Sequence, residues 1–465
     1  MSTQTLKVVS PVDGSVYAEL PLASEKDIDT TLNNAKRAQA AWRHSTIAER
    51  AALALRFTEA FVAMKDEVVP ELAWQMGRPI AFGGGEVKGF EERARYMVDI
   101  AGESLADIDV GPKEGFRRWI SREPLGVVLA IAAWNYPYLI AVNVVVPAIM
   151  AGNAVILKHS GQVPLCADRF AAAFKKAGAP EGLFTSIHMS HELTEKTIAD
   201  PRVDYVAFTG SVAGGHAVVK AAAGRFIGIG LELGGKDPAY VRPDANIPFA
   251  IENLVDGAYF NSGQSCCGQE RLYVHADVYD KFVDGFVDLA KTYKLGSPLD
   301  SATTLGPMVR TSAASFVRGQ IESAVRGGAR ALIDEKLFAA SKPGTPYLAP
   351  QVLVDVNHQM DVMREETFGP VIGIMKVSSD EEAIQLMNDS PYGLTASIWT
   401  EDEDAATAID DKIETGTVFM NRCDYLDPAL PWTGVKDTGR GATLSRVGYE
   451  FLTRPKGHHQ RIKTS

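Results

Sequence analysis

PLGVVLAIAAWNYPYLIAVNVVVPAIMAGNAVIL, residues Pro124–Leu157, runs for 34 residues without a charged side chain. A neutral run of that length imitates a transmembrane helix, which takes about 20 consecutive apolar residues. Pro137 and Pro147 interrupt it, and Asn135, Asn143 and Asn153 punctuate it. It therefore reads as a buried strand, a turn, a helix and a second buried strand of a soluble core, with no membrane expected as a partner.

Outward from this unit, short apolar runs alternate with helical segments. On the N-terminal side, Ser24 caps a helix over 25–42, and two further helical blocks cover 47–75 and 85–106. Residues 116–123, mixed polar and aromatic, suit an exposed strand. Apolar runs at 126–132, 154–157, 183–188 and 205–209 form one series of strands, and runs at 238–241, 271–274, 347–354, 371–377, 396–400 and 416–421 form a second. Such alternation predicts an α/β fold with mostly parallel sheets. No internal repeat or low-complexity segment interrupts it.

The 465 residues set an expectation of two or three domains. A hydrophobic content of 46% and a charged content of 23% are ordinary for a globular protein. The net charge of -11 argues against nucleic acid as a partner, because phosphate binding needs a basic footprint, and the pair Arg117-Arg118 does not supply one. The four cysteines (Cys166, Cys266, Cys267 and Cys423) are too few for a disulfide framework, and the adjacent two are poorly placed to bridge each other. A reducing, cytoplasmic setting is expected, and residues 1–7 contain no apolar signal core.

Two segments carry chemistry. Glu232-Leu233-Gly234-Gly235-Lys236 follows an apolar strand, and 34 residues beyond Glu232 lies Cys266, in Phe260-Asn261-Ser262-Gly263-Gln264-Ser265-Cys266-Cys267. A thiol nucleophile and a carboxylate base, each beside glycines that admit a close ligand, are the parts of covalent catalysis. A lone cysteine is commonly buried and inert, and a glutamate can merely end a strand, so the pairing carries the reading. No Gly-x-Gly-x-x-Gly fingerprint is present; Gly228–Gly234 is a near miss. Phe208-Thr209-Gly210-Ser211, with Gly215 beyond, follows a strand and opens a helix instead, and a helix N-terminus is an anion site.

Together these segments resemble the aldehyde dehydrogenase superfamily, whose pattern is roughly E-L-G-G-K, about thirty residues, then F-x-N-x-G-Q-x-C. Tyr259 stands at the first place of the second pattern, a mild departure. The resemblance runs from about Ser10 to the end. It implies a Rossmann-like cofactor domain (1–106 and 127–231), an α/β catalytic domain (232–435) and a small β oligomerisation arm (107–126 and 436–465). It further implies that Cys266 attacks an aldehyde to give a thiohemiacetal, that hydride departure leaves a thioester, and that Glu232 activates the hydrolysing water. Asn135, in Trp134-Asn135-Tyr136-Pro137, stands where the family has its oxyanion donor, although an asparagine there could equally cap the helix. Cys267 is the rival thiol; the family's nucleophile is two places after the glutamine.

The same resemblance assigns the cofactor site to Trp134, Lys158, Ser160, Gly161, Gly210, Ser211, Gly215, Leu233, Gly234, Glu366 and Phe368, with no metal. Ser211 falls at the pyrophosphate, Lys158 at the adenosine ribose, and Glu366 and Phe368, in Glu365-Glu366-Thr367-Phe368-Gly369-Pro370, at the nicotinamide end. Many NAD-preferring members carry a glutamate where this chain has Gly161. Its loss removes a ribose acceptor and a charge that would repel a 2′-phosphate, so either NAD or NADP is expected as cofactor. Leu430-Pro431-Trp432-Thr433-Gly434-Val435-Lys436 departs from the family's P-F-G-G-x-K, which bears on which aldehyde is used, not on reaction class. The expected partners are a small aldehyde and further copies of the chain, as a homodimer or homotetramer. Two other readings stand beside hydrolytic oxidation: acyl transfer to coenzyme A, which does not need Glu232, and a non-catalytic relative with a binding role, against which Cys266, Glu232 and Asn135 together argue.

Overall fold

The computed structural model describes residues 4–464; the first three residues of the N-terminal stretch and Ser465 lie outside the described residues. The uncharged run folds as a β–α–β unit: strand Val127–Ala132, helix Pro137–Met150 and strand Ala154–His159. Both strands are buried throughout, and in the helix only Leu139 escapes full burial, so the run is apolar because it is covered on every side. Two of its asparagines, Asn143 and Asn153, have partners. Asn153 accepts from the Gly126 N–H at 2.9 Å and donates to the Leu452 carbonyl at 2.9 Å. Among the described residues no helix is long and apolar enough to cross a membrane.

This unit is the middle of a six-stranded sheet ordered Gly439–Arg440, Gly228–Glu232, Tyr205–Thr209, Val127–Ala132, Ala154–His159, Phe184–Ser186, parallel except at its first pair. Helices Glu25–Trp42, Ile47–Val62, Lys65–Met76 and Ile80–Asp99 share its core. The helical block over 47–75 is broken at Ala63 and Met64. Residues Ile80–Asp99 form one helix, which starts before residue 85 and is followed by the short turn Ala101–Ser104.

A seven-stranded sheet carries the second series, ordered Arg330–Ala331, Gln351–Val354, Val371–Val377, Gln269–His275, Asp237–Val241, Thr395–Trp399, Thr417–Met420, again parallel except at its edge pair. A third sheet pairs Thr453–Arg461 with Phe116–Pro124 over nine residues and adds Ile108–Asp109. Within the 436–465 segment, Gly439–Arg440 belongs to the first sheet. Helix Ser445–Phe451 packs into the first core, where the Tyr449 hydroxyl donates to the Met97 carbonyl.

Replacing Asn153 by alanine leaves a buried N–H and a buried carbonyl unsatisfied at once, which costs about 1–3 kcal/mol per orphaned group. N153A is expected to lower the urea midpoint with an unchanged slope, measured by equilibrium unfolding.

Candidate active site

The turn ahead of Cys266 is set by backbone. Asn261, Ser262 and Gly263 occupy the left-handed region in succession, at φ of 53°, 59° and 70°. A side chain at Gly263 would also drive into the Gly369 carbonyl, 2.3 Å from a Cβ built there, so glycine is required on both counts. The polar residues of the turn hold its shape. Gln264 accepts from the Val309 N–H at 2.7 Å and donates to the Asn261 carbonyl at 3.0 Å, and the Ser262 hydroxyl donates to the Gly306 carbonyl at 2.8 Å. The side-chain amides of Asn261 and Gln264 are thus structural.

The two thiols that follow line one cleft but differ in exposure. Cys266 is partly exposed and lines a cleft with room for about 380 Å³. Cys267 is buried, its thiol bonded to the Asp424 carboxylate at 3.0 Å. Its hydrogen bond with Cys266 first, and then burial and the Asp424 charge, push the Cys267 thiol well up. Asp424 also accepts from Ser265 at 2.8 Å, and burial raises its own carboxyl.

Glu232 ends its strand on the same cleft. Its carboxylate accepts from Thr443, and from Thr209 at 3.2 Å. Burial raises its pKa, and the two hydroxyls pull it part of the way back. Asn135 is buried just before helix Pro137–Met150, whose N-cap position is Tyr136 with no side-chain cap. Its backbone carbonyl is fixed by Arg78 and by the Asn261 amide at 3.2 Å, while its own amide makes no hydrogen bond among the described residues. The helix-capping alternative is therefore not realised.

A second cleft, of about 320 Å³, opens between the sheets and is lined by Ser211, Val212, Glu365, Glu366 and Tyr392 among others. Ser211 caps helix Val212–Ala222, bonding the Gly214 N–H at 3.2 Å, and leaves the rest of that helix start open to an anion. Glu366 lies against the Gly234–Gly235 backbone: it accepts from the Gly235 N–H at 3.0 Å, and a Cβ on Gly234 would fall 2.4 Å from its oxygens. Burial, reinforced by the Glu270 charge, raises its pKa to about 8. The Leu233 N–H donates to Thr438, and the Leu233 side chain packs where a Cβ on Gly215 would stand. Gly210 similarly makes room for the Phe208 ring. Trp134 and Phe368 meet edge to face with centroids 5.5 Å apart.

Lys158 is 8% exposed at the end of its strand and has neither hydrogen bond nor ion pair among the described residues; burial lowers its pKa. The Ser160 hydroxyl accepts from the Gln162 N–H at 3.3 Å, leaving its proton to donate elsewhere. A Cβ on Gly161 would lie 3.0 Å from Leu6 of the N-terminal hairpin. An unpaired lysine, an open helix start and a buried glutamate with free acceptor capacity fit a phosphate- and hydroxyl-bearing dinucleotide. No group of side chains suited to a metal ion occurs among the described residues.

Sequence reasoning missed Arg78, Glu86, Arg93, Asp424 and Thr443, all of which line the first cleft or bond its residues. They lie far along the chain from the motifs they serve, and no local pattern marks them.

Residues 1–457 match the family model described as Aldehyde dehydrogenase family. Among curated proteins, the succinate-semialdehyde dehydrogenase, NADP(+), of Mycobacterium avium (strain 104) is 35% identical over 454 residues, covering 97% of this chain and 96% of that one. Among solved structures, succinic semialdehyde dehydrogenase from Streptococcus pyogenes in complex with NADP+ superimposes with a TM-score of 0.93 at 29% identity, covering 98% of this chain and 100% of the other. An NAD-dependent aldehyde dehydrogenase from Sinorhizobium meliloti gives a TM-score of 0.93 at 31% identity, with coverages of 99% and 92%.

The contrast between the thiols has a direct chemical readout. Limited iodoacetamide should modify Cys266 before Cys267 or the buried Cys166, as read by peptide mass spectrometry. Modification of Cys267 first would show that the thiol facing the cleft is the other one.

Proposed function

Because the chain belongs to the aldehyde dehydrogenase family, we propose that it oxidises an aldehyde to the carboxylic acid with NADP or NAD, using Cys266 as nucleophile, Glu232 as general base and Asn135 as oxyanion donor. One observation carries this reading: Cys266, from a turn leading into the seven-stranded sheet, and Glu232, from a strand of the six-stranded sheet, line one cleft.

In this reading the Cys266 sulfur adds to the aldehyde carbon, and the former carbonyl oxygen takes up negative charge. The uncommitted Asn135 amide and the Cys266 N–H donate to it; one such donor is typically worth about 2.7–4 kcal/mol in the transition state. The bound cofactor supplies the hydride acceptor. Glu232 then takes a proton from water as that water attacks the thioester carbon; the C–S bond breaks as the tetrahedral adduct collapses to the acid, and the proton held by Glu232 passes to the departing Cys266 sulfur. A carboxylate partly desolvated and raised in pKa is a stronger base than a solvated one, while its two threonine partners keep it aimed. Cys267, buried and bonded to Asp424, is the wrong thiol for this work.

For the cofactor, we assign the pyrophosphate to Ser211 and the start of helix Val212–Ala222, the nicotinamide ribose to Glu366, and the ring to the Trp134–Phe368 corner. Lys158 and Ser160 stand ready for a ribose hydroxyl or a 2′-phosphate. The six-stranded sheet with its helices would form the cofactor-binding domain and the seven-stranded sheet the catalytic domain. The sheet of Phe116–Pro124 and Thr453–Arg461 would assemble a cytoplasmic homodimer or homotetramer. The name of the Mycobacterium avium relative makes succinate semialdehyde the first aldehyde to assay.

Two experiments test these assignments. In Glu232→Gln, stopped-flow absorbance should show a burst of reduced cofactor followed by slow turnover, since only thioester hydrolysis needs the base; Cys266→Ala should give neither. Loss of the burst in Glu232→Gln would mean that Glu232 also activates the thiol. For the cofactor, NADP should be used at least as well as NAD. Gly161→Glu, with Leu6 yielding slightly, should move the kcat/KM ratio toward NAD by up to about five-fold, the scale of a partly exposed charge pair. A wild type that strongly rejects NADP, or an unmoved ratio in the variant, removes the role given to position 161.

A further inference from the structure

Arg93 is 7% exposed, on helix Ile80–Asp99, and lines the cleft that holds Cys266 and Glu232. One guanidinium nitrogen, Nη1, donates to the Leu139 carbonyl at 3.1 Å and to Asn143 Oδ1 at 3.2 Å. Those acceptors are neutral. Among the described residues Arg93 has no ion pair, and its Nη2 and Nε make no hydrogen bond. Arg78, equally buried on the same cleft, shows what a satisfied guanidinium looks like here: it pairs with Glu86 and bonds both Asn135 and Asn261.

A guanidinium is always charged, offers five donors, and is costly to bury without an anion. The carboxylates of the cleft do not meet this need. Glu86 is taken by Arg78, Glu232 is held by two threonines, and Asp424 is bonded to Ser265 and Cys267. Glu92 and Asp256 are exposed at the mouth, as is Lys88. Arg93 shares the lining of one cleft with Cys266, Cys267, Glu232 and Glu92, so it borders the space a small substrate at the thiol would fill.

We propose that Arg93 is a specificity-determining residue that receives the carboxylate tail of the substrate, so that the preferred aldehydes are short ω-oxo acids. This rests on the aldehyde-oxidising reading of the cleft. The planar fork of the guanidinium takes a carboxylate through two parallel hydrogen bonds, and the uncommitted Nη2 and Nε form one edge of that fork. The thiol then meets the aldehyde end of the same molecule.

The test compares wild type, R93M and R93K on three aldehydes of equal chain length, ending in a carboxylate (4-oxobutanoate), a methyl group (butanal) and a quaternary ammonium (4-trimethylammoniobutanal). Wild type should favour the carboxylate. R93M should cut the carboxylate-to-methyl ratio of kcat/KM by about 10–100-fold, mainly through KM, as expected for a hydrogen bond to a charged group. R93K should recover part of it. An unchanged ratio, an equal loss on all three substrates, or a wild-type preference for the ammonium aldehyde overturns the assignment. A binding measurement on wild type keeps the two readings separable and does not depend on R93M folding. Succinate should slow iodoacetamide modification of Cys266, n-butylamine should not, and R93K should weaken the protection. Protection without oxidation of any aldehyde would sink the proposed activity and leave Arg93 as an anion site; oxidation without protection would sink the Arg93 assignment alone.

Discussion

The cleft that holds Cys266 and Glu232 depends on a buried ion pair. Arg78, 2% exposed, pairs with Glu86 and reaches the Asn135 carbonyl and the Asn261 side chain, while the second Glu86 oxygen accepts from the Tyr138 N–H at 2.8 Å. Three pieces of chain are thereby fixed to one another: helix Ile80–Asp99, the start of helix Pro137–Met150 with Asn135 ahead of it, and the turn that delivers Cys266. Burial lowers the Arg78 pKa to about 10, which still leaves the guanidinium charged at neutral pH. Burying two charges is not in itself a gain, but removing one of them strands the other at a cost of about 3–5 kcal/mol. The pair therefore serves registration: each charge is satisfied only when Asn135, the turn before Cys266 and the cleft wall are in place together.

A second buried pair does the same beside the second cleft. Lys236 meets Glu270 and also donates to the Thr367 hydroxyl at 2.9 Å, and the Glu270 oxygens accept from the Thr367 and Phe368 N–H groups at 2.8 and 2.9 Å. This holds Phe368 in its left-handed conformation, φ 53°, with its ring against Trp134. The segment Glu232–Lys236 is thus used at nearly every position. Glu232 faces the cleft, Leu233 packs on the helix at Gly215, Gly234 makes room for the Glu366 carboxylate, the Gly235 N–H donates to it, and Lys236 anchors the loop that carries it. The first glycine is a steric requirement of that carboxylate, whereas a Cβ on the second would run into the Cys266 carbonyl and Asp237.

These contacts explain what could be read in the sequence. Cys266, Glu232, Ser211 and Glu366 were legible because each sits in a short segment whose spacing is itself the signal, and the β–α–β unit was legible because total burial leaves an uncharged run broken only by proline and asparagine. Arg78, Arg93, Asp424 and Thr443 were not, since apart from the Arg78–Glu86 pair their partners lie 46 to 211 residues away and a lone arginine or threonine on a helix or loop looks solvated. Gly210 and Gly215 were found for a reason the structure adds to: each clears space for a neighbouring side chain. The break at Ala63 and Met64 was missed because neither residue is a helix breaker, and tertiary packing overrides such weak local preference.

The contrast between the adjacent thiols follows from their burial and from Asp424. After the left-handed stretch ends at Gly263, Ser265 and Cys267 both bond the Asp424 carboxylate, one residue apart on either side of Cys266. The chain turns here, the Gly268 N–H donating to the Ser265 carbonyl at 3.2 Å, and both thiols line the cleft, Cys266 partly exposed and Cys267 buried. The hydrogen bond with Cys266, then burial and the Asp424 charge, raise the Cys267 pKa, since a carboxylate beside a buried thiol disfavours a second negative charge. The three left-handed residues and the close approach of Gly263 to Gly369 set the path of the chain into this turn, so the burial that separates two neighbouring thiols is arranged by backbone that a glycine three residues before Cys266 makes possible.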